Sequence, residues 1–306
     1  MMKQVISKYQ VSMKLVRLKK LFICCVIAMM GLTIIFMIKV TRVWVHQVQY
    51  VSPVIPTIYV ITPTYYRLEQ KADLTRMSNT LLHVHHLHWI VVEDSVEKTK
   101  LVTYFLETCG VINTHLNIST PREKRLRGTE LPRGVLQRNA GLDWIRTNLD
   151  PEVDEGVVYF ADDDNTYNRK LFEEMRYTQR VSVWPVGLVG GLKHESPIVK
   201  NGKVKGWNAM YMPERNFAID MAGFGVNINI ILNHTKTKFS YSMLPGTLET
   251  SFLTALGTKI QDLEPRADGC TKVLVWHTRT EKTKIEKPKD GFLKQYKQEQ
   301  FADVEV

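Results

Sequence analysis

The run Gly156-Val157-Val158-Tyr159-Phe160-Ala161-Asp162-Asp163-Asp164-Asn165 ends a short apolar stretch in three carboxylates. Its β-branched and aromatic residues read as a buried strand. In an open α/β sheet, ligands are met just beyond the carboxyl ends of such strands. Carboxylates placed there suit a hard divalent cation, since Mg²⁺ or Mn²⁺ commonly bridges one or two of them to substrate phosphates. A solvated acidic turn has the same composition, and three residues alone do not separate the two readings. Arg133 and Arg138 fall at an expected helix start, where guanidinium groups suit anions. The run Arg122-Glu123-Lys124-Arg125-Leu126-Arg127 reads as a solvated loop. His83, His85, His86 and His88 have no carboxylate or cysteine at ligand spacing and read as structural.

The elements that must carry these groups follow from periodicity. Residues 57–62 (TIYVIT) and 87–92 (LHWIVV) are expected strands, each followed by a polar turn and a helix; Leu74, Met77 and Leu81 share one helical face. A third strand is expected near residues 114–118. Pro132 then opens a helix as its first residue, with Val135, Leu142, Ile145 and Leu149 inward. Repeated βα units of this kind give a mainly parallel, doubly wound half. Beyond Lys170 the alternation loosens. Strands are expected over 181–191, 221–228 and 272–277, separated by segments rich in Gly, Pro and Asn, and the tail from Lys282 is polar.

The net charge of +10 suggests a polyanion partner until it is located. Residues 1–50 hold eight bases and no acid, which leaves 33 bases against 31 acids in the remainder. Nothing in that balance calls for a nucleic-acid groove. Residues 21–38 (LFICCVIAMMGLTIIFMI) form an uncharged stretch of 18, the short end of what spans a bilayer. Six bases precede it, so the positive-inside rule makes residues 1–20 a cytosolic tail, 21–38 a signal anchor and 39–56 a stem. A cleaved signal peptide is the competing reading, but no small-x-small cleavage site follows the core. Cys109 and Cys270 could pair in an oxidising lumen or remain two buried thiols. The sequons at Asn117 and Asn233 agree with a lumenal fold.

Six segments occur in one order: Pro63-Thr64-Tyr65, Glu93-Asp94-Ser95, residues 132–139 (PRGVLQRN), Asp162-Asp163-Asp164-Asn165, residues 220–224 (DMAGF) and residues 275–279 (VWHTR). Together they resemble the inverting β-1,3-glucuronosyltransferases, from about residue 57 to 282. The resemblance implies a GT-A type α/β fold, with a doubly wound UDP-sugar-binding half over 57–168 joined to a mixed-sheet acceptor-binding half over 169–306. It implies Mn²⁺ on Asp164, Asp163 near the ribose, Asp94 near the uracil, and Pro63, Thr64 and Tyr65 along the base. Asp162 is positional, while Arg133, Arg138, His277 and Arg279 contact ribose, diphosphate or glucuronate. Glu249 corresponds to the general base, and its other reading is an acidic residue in the first turn of a helix. Glu195, Arg215 and Asp220 match acceptor-binding positions, and Tyr211 stands where the family often carries a tryptophan to stack on a sugar.

The same resemblance implies UDP-glucuronate as donor, a terminal galactose as acceptor, a homodimer and residence in the Golgi membrane. The short stem and His194-Glu195-Ser196 lean toward the proteoglycan linkage region, with N-acetyllactosamine as the sister acceptor. From other classes, a metal-dependent nucleotide-sugar hydrolase and a catalytically silent sugar-binding module remain; the presence of Glu249 argues against the second. The charge asymmetry generates a topological prediction. Protease added to intact microsomes should spare everything after the apolar stretch, and digestion of that portion would reverse the assigned orientation.

Overall fold

No glycine or proline stands between Gly31 and Pro53, and the N-terminal helix α1 (Met2–Gln47) runs without a break as far as Gln47. The computed structural model describes residues 2–47, 54–125 and 131–284, in two compact units, Met1–Val54 and Ile55–Val306. Within α1 the 28 residues Met13–Val40 are long and apolar enough to cross a membrane, and none of that stretch is buried against protein. The helix extends beyond the expected 21–38 and is still helical over 39–47, where a stem was expected. Stem residues 48–53, Leu126 and Arg127 of the basic run, and the tail from 285 lie outside the described residues.

The second unit begins with strand β1 (Thr57–Thr64), helix α2 (Gln70–Leu81), β2 (Leu87–Glu93), α3 (Lys100–Thr108), β3 (Asn113–Asn117), a single turn α4 (Arg122–Arg125), α5 (Val135–Asn148) and β4 (Gly156–Phe160). These strands lie parallel in the order β4-β1-β2-β3. Alternation sets the two layers. Ile58, Val60, Trp89, Val91, Val157 and Tyr159 face α2 and α3. Tyr59, Ile61, Ile90, Val92, Val158 and Phe160 face α5 and its neighbours. Such strict period-two burial on both faces requires a covered sheet. Pro63 is tolerated in a central strand because the β1–β4 ladder ends at Ile61–Phe160, before its missing N–H would matter.

The chain continues through β5 (Thr166–Tyr167), α6 (Arg169–Met175), β6 (Val181–Val183), β7 (Val186–Gly187), β8 (His194–Lys200), β9 (Lys203–Asn208), β10 (Phe224–Asn227), α7 (Ile228–Asn233), α8 (Leu248–Ala255), β11 (Leu263–Pro265) and β12 (Val275–Trp276). β10 is antiparallel to both β4 and β6, and β6 is parallel to β11, which completes a seven-stranded sheet. The other five strands form the order β5-β12-β7-β8-β9. Residues 169–306, the half expected to take the acceptor, therefore contribute three strands to the sheet that begins with β1.

Several boundaries differ from the periodicity. The expected strand over 181–191 is two strands in different sheets: Pro185 has no N–H for a ladder, and the Trp184 amide and indole turn to the carbonyls of Gly223 and Ala222. Over 221–228, Asp220 caps a 3-10 turn (Met221–Gly223) and Asn227 caps α7, leaving only four residues for β10. β12 keeps two residues of the expected six, after a left-handed turn at Ala267–Cys270. α5 starts at Val135 rather than Pro132, because Gly134 adopts φ +70 and a Cβ there would come within 2.5 Å of the Arg138 guanidinium.

Phe160 closes the α5-side layer, packing against Phe239 at 5.2 Å, Phe252 at 5.5 Å and Phe224 at 6.1 Å between ring centroids. Phe160→Ala should cost about 3–5 kcal/mol, read as a lower midpoint in urea unfolding. A loss below about 1 kcal/mol would mean that the three rings collapse into the space.

Candidate active site

The ends of β1, β2 and β3 are level, with Thr64 paired to Glu93 and Glu93 to Asn117. β4 delivers the aspartate triplet beside them. A cleft of about 680 Å³ opens there, lined by Pro63, Thr64, Tyr65, Asp94, Arg133, Arg138 and all three aspartates. The nine nucleotide-side positions proposed from β1 to β4 thus meet at one sheet edge.

The three carboxylates have different fates. Asp162 Oδ1 accepts from Arg138 Nη2 at 2.5 Å. Asp163 is buried, accepting from Thr64 Oγ1 at 2.7 Å and pairing with Arg67 Nη2 at 2.8 Å. Burial pushes its carboxyl up to about 6 despite the opposing Arg67 charge. Asp164 offers its carbonyl to Arg76 Nη2 at 3.0 Å and to Thr278 Oγ1 at 2.7 Å, while no other described residue bonds its carboxylate. Burial, then the Asp162 charge, raises the Asp164 pKa, so an unpartnered and destabilised negative charge faces the cleft. Among the described residues no three His, Cys, Asp or Glu side chains converge on a point that could cage a metal. One carboxylate in a phosphate-sized cleft fits a hard cation that takes its remaining oxygens from a diphosphate and water.

At the other end of the cleft the Asp94 amide donates to Thr64 O at 2.8 Å. Its Oδ1 accepts from Thr120 N at 2.7 Å and Arg125 Nη2 at 2.6 Å. Arg125 belongs to the run expected to be a solvated loop; it forms part of α4 and lines the cleft. Arg67 and Tyr241 were likewise missed. Tyr241 carried no sequence signal, whereas Arg67 stands three residues beyond Thr64, within reach of the same sheet edge.

A second group of ionisable residues lies outside this cleft. Glu249 occupies the first turn of α8. The residue keeps some solvent exposure, but protein atoms enclose its carboxyl group, and burial followed by the Asp220 charge pushes it up to about 7. Asp220 Oδ1 accepts from Ala222 N at 2.9 Å, and its Oδ2 lies 3.3 Å from His277 Nδ1, an ion-pair separation without hydrogen-bond alignment. Asp220 raises the His277 pKa against the effect of burial. Glu195 is raised mainly by burial and leans over Gly190, where a Cβ would meet its Oε1 at 2.1 Å. Arg215 bonds the Gly246 carbonyl and sits 5.6 Å from the Tyr211 ring centre. Arg279 does not line the large cleft; with His277 and Gly190 it borders a neighbouring recess of about 600 Å³.

A family model described as glycosyltransferase family 43 matches residues 77–281. The chain belongs to this family. Human galactosylgalactosylxylosylprotein 3-beta-glucuronosyltransferase 1 is 52% identical over 248 residues, 79% of this chain and 74% of the relative. Mouse galactosylgalactosylxylosylprotein 3-beta-glucuronosyltransferase 2 is 53% identical over 236 residues, 76% and 72% of the two chains. A crystal structure of S. aureus TarS residues 1–349 aligns with a TM-score of 0.46 and 13% identity, over 72% of this chain and 60% of that one. Family membership rests on the sequence relatives.

Within this family 43 chain the remaining expectations divide by geometry. His88 Nε2 lies 2.8 Å from Thr114 Oγ1 and its ring packs on Trp144, while His85 and His86 offer carbonyls to Arg176. Cys109 and Cys270 are free thiols, each bonded to a different backbone carbonyl. The Asn117 amide nitrogen is occupied by the carbonyls of Ser95 and Val96, whereas Asn233 is exposed at the end of α7.

The Glu249 carboxyl has its folded value above its ordinary 4.5, so the stability it contributes is complete below pH 4.5 and is lost as pH rises through about 7. Glu249→Gln mimics the protonated form at every pH. It should unfold at the wild-type temperature near pH 4 and at a higher temperature than wild type near pH 8 in calorimetric scans. Equal values at both pH values would remove the buried-charge account.

Proposed function

We propose that the protein transfers glucuronate from UDP-glucuronate to the 3-hydroxyl of a terminal galactose with inversion, completing the Gal-Gal-Xyl linkage of proteoglycan core proteins. The carrying observation is the division of its carboxylates. Asp164 is unpartnered in a nucleotide-sized cleft, while Glu249, with a carboxyl near 7, stands outside that cleft among acceptor-side groups. Inversion in one displacement needs this separation, with one acid group behind the leaving diphosphate and one base on the incoming hydroxyl.

In this reading uracil lies toward Asp94, Pro63, Thr64 and Tyr65, and ribose toward Asp163. Arg138 is held by Asp162, and it and Arg133 present guanidinium groups to the phosphates. Asp164 would hold Mn²⁺, which stabilises negative charge on the departing UDP. His277 and Arg279 approach the sugar end of the donor. Glu195, Asp220 and Arg215 bond acceptor hydroxyls, Tyr211 packs on a sugar face, and Glu249 takes the proton of the attacking hydroxyl. A pKa near 7 suits that role, since a base works best close to the operating pH. The apolar helix of the first unit anchors the chain in the Golgi membrane with the fold lumenal, and the protein acts as a homodimer. The relatives' names and the family membership support the reaction class.

The test is UDP release from UDP-glucuronate in Mn²⁺, with and without a galactosyl-galactosyl-xyloside. Release should depend on the acceptor; equal release without it would make the protein a hydrolase. Glu249→Gln should lower kcat by about 10²–10⁴-fold while UDP binding changes little. Near-normal turnover in that variant would pass the base role to Glu195 or Asp220.

A further inference from the structure

The Asp73 carboxylate, in the first turn of α2, has no solvent exposure and is held by four donor contacts. Oδ2 accepts from Arg67 Nε at 3.3 Å and Nη2 at 2.7 Å. Oδ1 pairs with Arg76 Nη2 at 3.0 Å and accepts from Thr280 Oγ1 at 2.5 Å. The same two guanidinium groups reach the triplet: Arg67 pairs with Asp163 at 2.8 Å and Arg76 donates to the Asp164 carbonyl at 3.0 Å.

Thr280 belongs to the chain that follows β12, residues 278–283, which lies as a strap over these groups. Thr278 Oγ1 bonds the Asp164 carbonyl at 2.7 Å and lies 3.0 Å from Thr166 Oγ1, and the Thr283 amide donates to Glu69 Oε1 at 2.6 Å. The strap thus joins the carbonyl of Asp164 to the start of α2, and its first residues are flanked by His277 and include Arg279. Asp73 does not itself line the cleft. It acts through the two arginines and the strap.

We propose that Asp73 is the positioning residue that fastens the strap beneath the aspartate triplet, and so sets how tightly the cleft holds a nucleotide diphosphate. The inference rests on the donor-site reading of the cleft. A buried carboxylate that merely stabilises the helix start would account for the arginines but gives Thr280 no role in nucleotide binding.

Thr280→Val separates the two, because it removes only the strap contact and leaves Asp73 both guanidinium partners. In the full-length protein in detergent, calorimetry should show UDP affinity in Mn²⁺ weakened about 5–10-fold, the loss expected for one ordinary hydrogen bond. The KM for the galactosyl acceptor should stay within about twofold, and amide exchange over residues 278–283 should accelerate without nucleotide. Asp73→Ala should weaken UDP more, and adding Thr280→Val to it should weaken binding no further, since the shared contact is already broken. UDP affinity within about twofold of wild type in Thr280→Val would overturn the proposal, as would an equal rise in acceptor KM. If the unmodified protein fails to bind UDP, the donor-site reading falls. Unchanged strap exchange in Thr280→Val would instead overturn the fastening, whatever UDP does.

Discussion

A carboxylate carried to the end of a buried strand must be given a cation or left to capture one, and the site depends on how that demand is met three times in succession. Asp162 takes Arg138 from α5, which crosses one face of the sheet; Asp163 takes Arg67 from the turn after β1. Asp164 receives donors only on its carbonyl among the described residues. The first two pairings fix the backbone so that the third charge is held in place without being neutralised. Burial raises Asp163 and Asp164, so the arrangement costs stability that a bound cation would restore. Removing Arg67 would therefore leave the buried Asp163 without its cation, and removing Arg138 would take a guanidinium from the cleft wall.

The second group of carboxylates is charged against itself: Asp220 repels both Glu195 and Glu249, and Arg215 offsets part of that repulsion. Asp220, 3.3 Å from His277, raises the pKa of that imidazole. Burial, and after it the Asp220 charge, moves the Glu249 carboxyl up to about 7. The helix start at α8 supplies the rigid mount, and the Thr250 hydroxyl, bonded to the Phe217 carbonyl at 2.7 Å, ties that mount to the loop leading to Asp220.

What the sequence made legible was whatever local pattern controls. The strands β1, β2 and β4 were readable because burial on both faces leaves an uninterrupted apolar run. The residues expected on the nucleotide side were named by the family resemblance, and the structure gathers those from Pro63 to Asp164 around one cleft. Past residue 170 the strands shorten to two to seven residues, too few for a period to register, and Pro185 hides a change of sheet inside one apolar stretch. Arg125 looked like solvent-facing charge because its partner, Asp94, is 31 residues away. Asp73 was not singled out in the sequence, and its partner Thr280 lies 207 residues away. The assignments to catalysis, metal and acceptor came from ordered motifs rather than from any period, and the geometry adds to them the partners that set each charge.

The two halves expected from the sequence are not separate in the fold. β10 lies between β4 and β6, so the strand that carries the aspartate triplet is paired on one side by a segment from the later half. From that strand's neighbourhood come Asp220, just before it, and the Ala222 carbonyl, which accepts from Tyr159 at 3.0 Å and Trp184 at 2.8 Å. The donor edge and the acceptor-side carboxylates are therefore referenced to one pair of antiparallel strands. Any shift of β10 against β4 would move Asp220, and with it His277, relative to Asp164. Because a slip by one residue would also turn Val226 and Phe224 out of the core, the register that buries those side chains also fixes the spacing between Asp220 and the aspartate triplet.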